Sequence, residues 1–101
     1  MPKIYEYLGF IFYFYSNEHE PIHIHVTKAD RESIFEIIML NGQLLEIKKR
    51  KSRSKKPLTA KEEKETLVFI KEYHKKIVEK WINFFVLKKP IKATKVTRKL
   101  K

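Results

Sequence analysis

The stretch SNEHEPIHIHV, residues 16–26, holds three of the four histidines in the chain. After Pro21, isoleucine and valine alternate with His23 and His25, and alternation at period two is typical of a half-buried strand. The two imidazoles then share one face of the strand, about 7 Å apart, because the chain rises about 3.3 Å per residue. We therefore predict a strand whose apolar side lies in the core and whose other side presents two histidines.

His19 lies in the turn before this strand, where it can fold back over the same face. Three imidazoles in this spacing suit acid–base catalysis near neutral pH, or a divalent metal such as zinc or nickel. Histidines that face solvent without a role are the third interpretation, and the spacing leaves all three open. The candidate catalytic residues, and alternatively the candidate metal ligands, are His19, His23 and His25.

The segments on either side of the histidine strand also have strand patterns. Residues 4–15 are rich in aromatic and aliphatic side chains on both faces of a strand, and residues 33–40 and 44–49 continue with period two. An Asn-Gly pair separates the last two segments and favours a two-residue hairpin. The prediction is an antiparallel β-meander of three to four strands within residues 4–49, which needs a helix to cover one face.

A helical pattern follows the predicted sheet. Between residues 59 and 87, apolar residues recur at spacings of three and four, as in an amphipathic helix. Thr59 and Glu62 fit an N-terminal capping box, and Pro90 ends the pattern. One long helix and two shorter helices both fit this length. The predicted fold class is α+β, with the meander packed against these C-terminal helices.

The chain has 101 residues and a net charge of +11, which predicts a single basic domain. Residues 48–56 and 88–101 each carry seven basic residues and no acidic one, whereas the rest of the chain has a net charge of −3. We predict a domain over residues 1–87, followed by a basic C-terminal tail over residues 88–101. Blocks of like charge commonly bind polyanions, so both runs are predicted to contact RNA or DNA non-specifically. The predicted nucleic-acid-binding residues are Lys48, Lys49, Arg50, Lys51, Arg53, Lys55, Lys56, Lys88, Lys89, Lys92, Lys95, Arg98, Lys99 and Lys101.

Several classes of protein are disfavoured by what the sequence lacks. It has no cysteine, which excludes disulfides, thiolate chemistry and cysteine-based zinc sites. No Walker loop, dinucleotide-binding glycine motif or nucleophile elbow occurs. The start of the chain does not have the pattern of a secretory signal, and no apolar run is long enough to span a bilayer. A cytoplasmic protein without membrane association is therefore predicted.

Several short motifs occur together in this chain. It starts with Met-Pro, reads Tyr-Ser-Asn-Glu-His at residues 15–19, has Pro21, and reads His-Ile-His-Val at residues 23–26. Trp81 followed by Phe-Phe three residues later completes the set. In these features, residues 1–87 resemble the bacterial domain-of-unknown-function family 4160. The two basic runs look longer and more basic than is usual in that family.

The resemblance implies no established activity. Genes of this family are small, bacterial or mobile-element-borne, and often neighbour another small unknown domain. That implies a DNA-associated or toxin–antitoxin-like pair with a protein partner encoded nearby. Three functions stay open: a nucleic-acid-associated accessory protein, a metal-independent ribonuclease or phosphodiesterase that uses His23 and His25 with His19 or a lysine assisting, and a module that binds a protein partner or forms a homodimer.

Overall fold

A computed structural model of the chain describes residues 3–14, 22–53 and 55–100, without the side chain of Lys51. It is an α+β fold in which one helix packs on one face of a six-stranded mixed sheet. The elements in chain order are β1 (Lys3–Tyr7), β2 (Phe10–Phe14), β3 (Ile22–Lys28), β4 (Arg31–Leu40), β5 (Gln43–Lys51), α1 (Ala60–Trp81), a π-helical turn (Ile82–Val86) and β6 (Thr94–Val96).

The strands follow one another across the sheet in the order β5-β4-β3-β2-β1-β6. Each neighbouring pair is antiparallel, except that β6 runs parallel to β1. The predicted hairpin between β4 and β5 is confirmed: Asn41 and Gly42 have φ values of +52° and +78°, as a type I′ turn requires. A second two-residue turn, Ala29-Asp30, joins β3 to β4 and fixes their register.

The predicted count of three to four strands is wrong, and so is the purely antiparallel pairing. The segment predicted as one strand over residues 4–15 contains the β1–β2 hairpin, which turns at Leu8 and Gly9 with φ values of +48° and +91°. Leucine rarely adopts a positive φ, so this turn gives little signal within an aromatic run. The sixth strand, β6, has only three residues and lies in the basic tail, where no alternation marks it.

The helical region forms one helix, which settles the choice between one and two. The capping box is present, because the Glu62 N–H donates to the Thr59 hydroxyl at 3.2 Å and the Thr59 N–H donates to the Glu62 carboxylate at 2.9 Å. The π-helical turn continues α1 directly. In the described ranges of the chain, no helix is long and apolar enough to cross a membrane.

Aromatic rings fill the space between α1 and the sheet. Phe69 is fully buried, and its ring lies 4.7 Å from Tyr7, 4.7 Å from Phe12 and 4.4 Å from Tyr73. Ile70, Ile77 and Trp81 are also buried, so this part of the apolar stripe belongs to the core, whereas Ile82 is exposed. These contacts identify the face of the sheet that α1 covers, and thereby the opposite face, which carries the histidines.

Candidate functional site

The two described histidines lie on the side of the sheet opposite α1. Along β3, three buried apolar residues alternate with His23 and His25, as predicted. Directly paired residues of neighbouring strands point to the same face, so the strand register identifies the other members. We call this surface the histidine face; it comprises Ile11, Tyr13, His23, His25, Thr27, Glu32, Ile34, Glu36, Ile38, Glu46, Lys48 and Arg50.

His25 forms a carboxylate–imidazole pair with a residue of the next strand. Its Nδ1 lies 3.3 Å from Oε2 of Glu32. His25 is only 6% exposed, and its direct cross-strand neighbours are Tyr13 on β2 and Ile34 on β4. A carboxylate beside a buried imidazole fixes the orientation of the ring.

His23 forms a second pair with β4. Its Nε2 lies 3.4 Å from Oε1 of Glu36, the residue directly opposite it. Glu36 is 5% exposed, and the same oxygen contacts Nε of Arg50 on β5. A buried carboxylate needs cationic partners to offset its desolvation. One oxygen atom of Glu36 therefore connects His23 to Arg50 of the first basic run.

The carboxylates are the part of the site that the sequence patterns did not identify. His23 and His25 lie together as predicted, but Glu32, Glu36 and the link to Arg50 were not expected. A signal for them exists: a two-residue turn between β3 and β4 places His23 opposite Glu36. Because the histidine strand and the following strand were both predicted, a two-residue turn between them would also have predicted this register.

His19 lies outside the described residues, and so do Glu18 and Glu20 of the same turn. Within residues 3–14, 22–53 and 55–100, no group of three or more histidine, cysteine, aspartate or glutamate side chains is arranged to hold a metal ion. The predicted triad of His19 with the two strand histidines includes an undescribed residue. The zinc or nickel site therefore stays a prediction.

The first basic run begins within β5, at one edge of the sheet. Lys48 and Arg50 point to the histidine face, whereas Lys49 points to the helix side and donates to Glu63 of α1 at 2.9 Å. The rest of the described run is exposed or half-buried and lies between β5 and α1. The backbone oxygen of Lys56 accepts a hydrogen bond from the Glu32 N–H at 2.8 Å, which holds the end of the run against β4.

The second basic run follows the π-helical turn and includes β6, at the opposite edge of the sheet. Five intervals of about 4.8 Å between neighbouring strands separate the two edges by about 24 Å. Lys101 lies outside the described residues, and the other predicted residues of this run are exposed: Lys88, Lys89, Lys92, Lys95, Arg98 and Lys99.

A comparison with known families identifies one match. A family model described as "Domain of unknown function (DUF4160)" matches residues 9–82, which take in the strands of the histidine face and α1. The matched segment excludes β1, β6 and the second basic run. No curated protein and no solved structure matches the chain.

Proposed function

The chain belongs to the DUF4160 family, whose description names no activity, and we propose from its own residues that it binds nucleic acid across the β5 edge and the histidine face. The observation that carries this proposal is the register of β5. It puts Lys48 and Arg50 on the same face as His23 and His25. Two features that are separate in the sequence, a basic run and a histidine strand, thus form one surface.

The charges of this surface favour a phosphate backbone as the ligand. Lys48 is exposed, and the Arg50 side chain is 64% exposed although its Nε contacts Glu36. The two carboxylates of the pairs are mostly buried, since the side chains of Glu32 and Glu36 are 12% and 7% exposed, whereas Lys48 and Arg50 reach solvent. The basic edge therefore keeps positive charge available at the surface. Lysine and arginine contacts to phosphate dominate non-specific binding and make it sensitive to salt.

The experiment that tests this proposal is a titration of labelled single-stranded RNA and of duplex DNA by fluorescence polarisation. Lys48→Gln/Arg50→Gln is compared with Lys61→Gln/Lys64→Gln, whose exposed lysines lie on α1 and whose net charge is equal. We expect the β5 variant to bind more weakly, with a salt slope smaller by about 0.7–0.9 for each phosphate that the protein no longer neutralises. Equal binding by both variants would contradict the proposal, and Lys48→Gln alone tests it without disturbing Glu36.

A second candidate function is cleavage of RNA, which the two histidine–glutamate pairs favour. Because His25 is only 6% exposed, this function requires its neighbours on the sheet to move when RNA binds. One imidazole, oriented by its carboxylate, takes the proton of a 2′-hydroxyl as that oxygen attacks the adjacent phosphorus. The other imidazole donates a proton to the departing 5′-oxygen, so the products are a 2′,3′-cyclic phosphate and a 5′-hydroxyl. Arg50, at the edge of the same face, is placed to stabilise charge on the phosphoryl oxygens.

This second candidate is tested by incubating RNA and DNA of one sequence with the protein in a chelating buffer. Cleavage of RNA alone, lost in His23→Gln and in His25→Gln, is the expected result. Loss in both histidine variants separates this activity from a contaminating nuclease. Cleavage of both polymers, or activity that survives both substitutions, would reject the mechanism.

A further inference from the structure

A second basic surface lies on the helix side of the sheet, away from the histidine face. A groove of about 530 Å³ runs between α1 and β6. Three basic side chains line it, from Lys76, Lys80 and Arg98, against the carboxylate of Glu79. Lys95 pairs with Glu6, between the buried Tyr5 and Tyr7, so its side chain points to the other face of the sheet. The side chains that line the groove therefore carry a net charge of +2.

Lys80 contributes a positive charge, and among the described residues no carboxylate lies within salt-bridge distance of it. Its ammonium group donates to the backbone oxygens of Ile4 at 3.3 Å and Lys92 at 2.6 Å, and to the Thr94 hydroxyl at 3.1 Å. It also lies 4.6 Å from the centre of the Tyr5 ring. Burial lowers the pKa of Lys80, as expected for an ammonium group removed from water. These neutral acceptors satisfy its N–H groups and leave its positive charge in place.

The other two cations of the groove, Lys76 and Arg98, are also open to an anionic ligand. In the part of the chain that the structure describes, neither Lys76 nor Arg98 has a carboxylate within salt-bridge distance. Both residues lie at the surface of the molecule. An anion that entered the groove would therefore displace water from these side chains, without having to break an existing ion pair.

The wall of the groove that carries Arg98 is held in position. β6 pairs with β1 through residues 94–96, and the Leu100 N–H donates to the Tyr7 hydroxyl at 2.9 Å. Arg98 lies between these two attachments. A ligand therefore meets a basic residue whose backbone is already ordered, which lowers the entropic cost of binding.

An aromatic ring adjoins the cations. Tyr73 stacks on the buried ring of Phe69, with 4.4 Å between centroids and an angle of 7° between planes. Lys76 Nζ lies 5.7 Å from the centroid of the Tyr73 ring. The groove thus combines several cationic donors with one fixed planar surface.

We propose that this groove between α1 and β6 binds a phosphoryl group. A phosphoryl group offers several anionic oxygens to several cations at once, whereas a carboxylate offers only two. The inference deepens the proposed function. It rests on that function only in assigning the phosphate to a nucleic acid. In that setting, it supplies a phosphate contact that joins Arg98 of the second basic run, outside the family match, to Lys76 and Lys80 of α1, inside it.

The test compares two probes and three variants of the full chain. Pyrophosphate is titrated by calorimetry, and a labelled single-stranded oligonucleotide is titrated by fluorescence polarisation. Lys76→Gln/Arg98→Gln removes two groove cations, and Lys75→Gln/Lys99→Gln removes two exposed cations that do not line the groove. We expect binding of pyrophosphate that weakens at least about tenfold in the first variant and stays unchanged in the second.

The two probes distinguish the two sources of the phosphate, a free anion and a nucleic acid. If only the oligonucleotide binds, and only the groove variant weakens it, the phosphate comes from the polymer. Equal weakening by both variants would overturn the site, and so would a groove variant that binds both probes as tightly as the unmodified protein. Failure of both probes to bind saturably would also overturn it. Lys48→Gln/Arg50→Gln is the third variant: if it binds the oligonucleotide like the unmodified protein while the groove variant loses pyrophosphate, the proposed function fails and the groove stands.

Discussion

The two basic runs carry the same charge, yet the fold gives them different surroundings. In the first run, Arg50 contacts Glu36 and Lys49 contacts Glu63, so part of its charge holds β5 to β4 and α1. In the second run, the backbone oxygen of Lys92 and the hydroxyl of Thr94 accept from Lys80 of α1, and Lys95 lies beside Glu6 of β1. Equal charge therefore does not imply an equal role. The first run is built into the sheet through ion pairs of its side chains, whereas the second is attached through strand pairing and through hydrogen bonds that Lys80 donates to it.

The largest effect is expected from removing the carboxylate that the first run shares with the histidine face. Glu36→Ala leaves Arg50 and His23 without their common acceptor and should lower the free energy of unfolding by about 2–3 kcal/mol. This is less than the loss for a fully buried pair, because Arg50 is largely exposed. Denaturant unfolding checks this, with Glu46→Ala, which removes an exposed carboxylate of β5 from the same face of the sheet, as the control.

A smaller loss is expected where the second run is attached. Lys80→Met removes the donor to Ile4, Lys92 and Thr94 and should cost about 1–2 kcal/mol. Hydrogen exchange should accelerate in β6 and much less in β3 and β4. Uniform acceleration across the sheet would mean that Lys80 supports the whole core, and the contrast between the runs would not hold.

Tyr5, beneath Lys80, gives the same region a dependence on alkaline pH. Burial, together with Tyr73 and Glu79, raises the pKa of Tyr5 from 10.0 to about 12. Since the folded state holds this proton more tightly, the associated stability is present below pH 10 and is lost as the pH rises through about 12. A titration of tyrosinate absorbance should show one late-ionising group that Tyr5→Phe removes. Simultaneous ionisation of all five tyrosines would contradict this.

The smallest effect is expected at Lys49, the other ion pair of the first run. Its side chain is 52% exposed, so Lys49→Met should cost less than about 1 kcal/mol, because solvent screens surface salt bridges. Lys48→Met, on the opposite face of the same strand, is the matched control. A loss as large as that of Glu36→Ala would show that the junction between β5 and α1 depends on this contact.

Strong local signals made part of this fold predictable. Asn41-Gly42 specifies its own turn, and Thr59 with Glu62 specifies the start of α1, because both depend on residues a few positions apart. The alternation that put His23 and His25 on one face is local in the same sense. Each of these predictions uses contacts within one element or one turn.

The remaining features depend on neighbours distant in sequence. The turn at Leu8 and Gly9 requires leucine to adopt a positive φ, which the surrounding strands must hold in place. β6 is recognisable only once β1 offers it an edge. The pairs of Glu32 and Glu36 with the histidines require the register of β3 against β4, and the burial of His25 follows from its cross-strand neighbours.

The β5 edge and the histidine face form one surface, which we propose to act as a unit on nucleic acid. The most direct measurement is an NMR titration of the labelled full chain with a single-stranded RNA oligonucleotide under conditions that prevent cleavage. We predict the largest shifts at Lys48, Arg50 and His23, and none at the matched α1 lysines Lys61 and Lys64. Shifts of equal size at all exposed lysines, with His23 unaffected, would contradict a single nucleic-acid-binding surface.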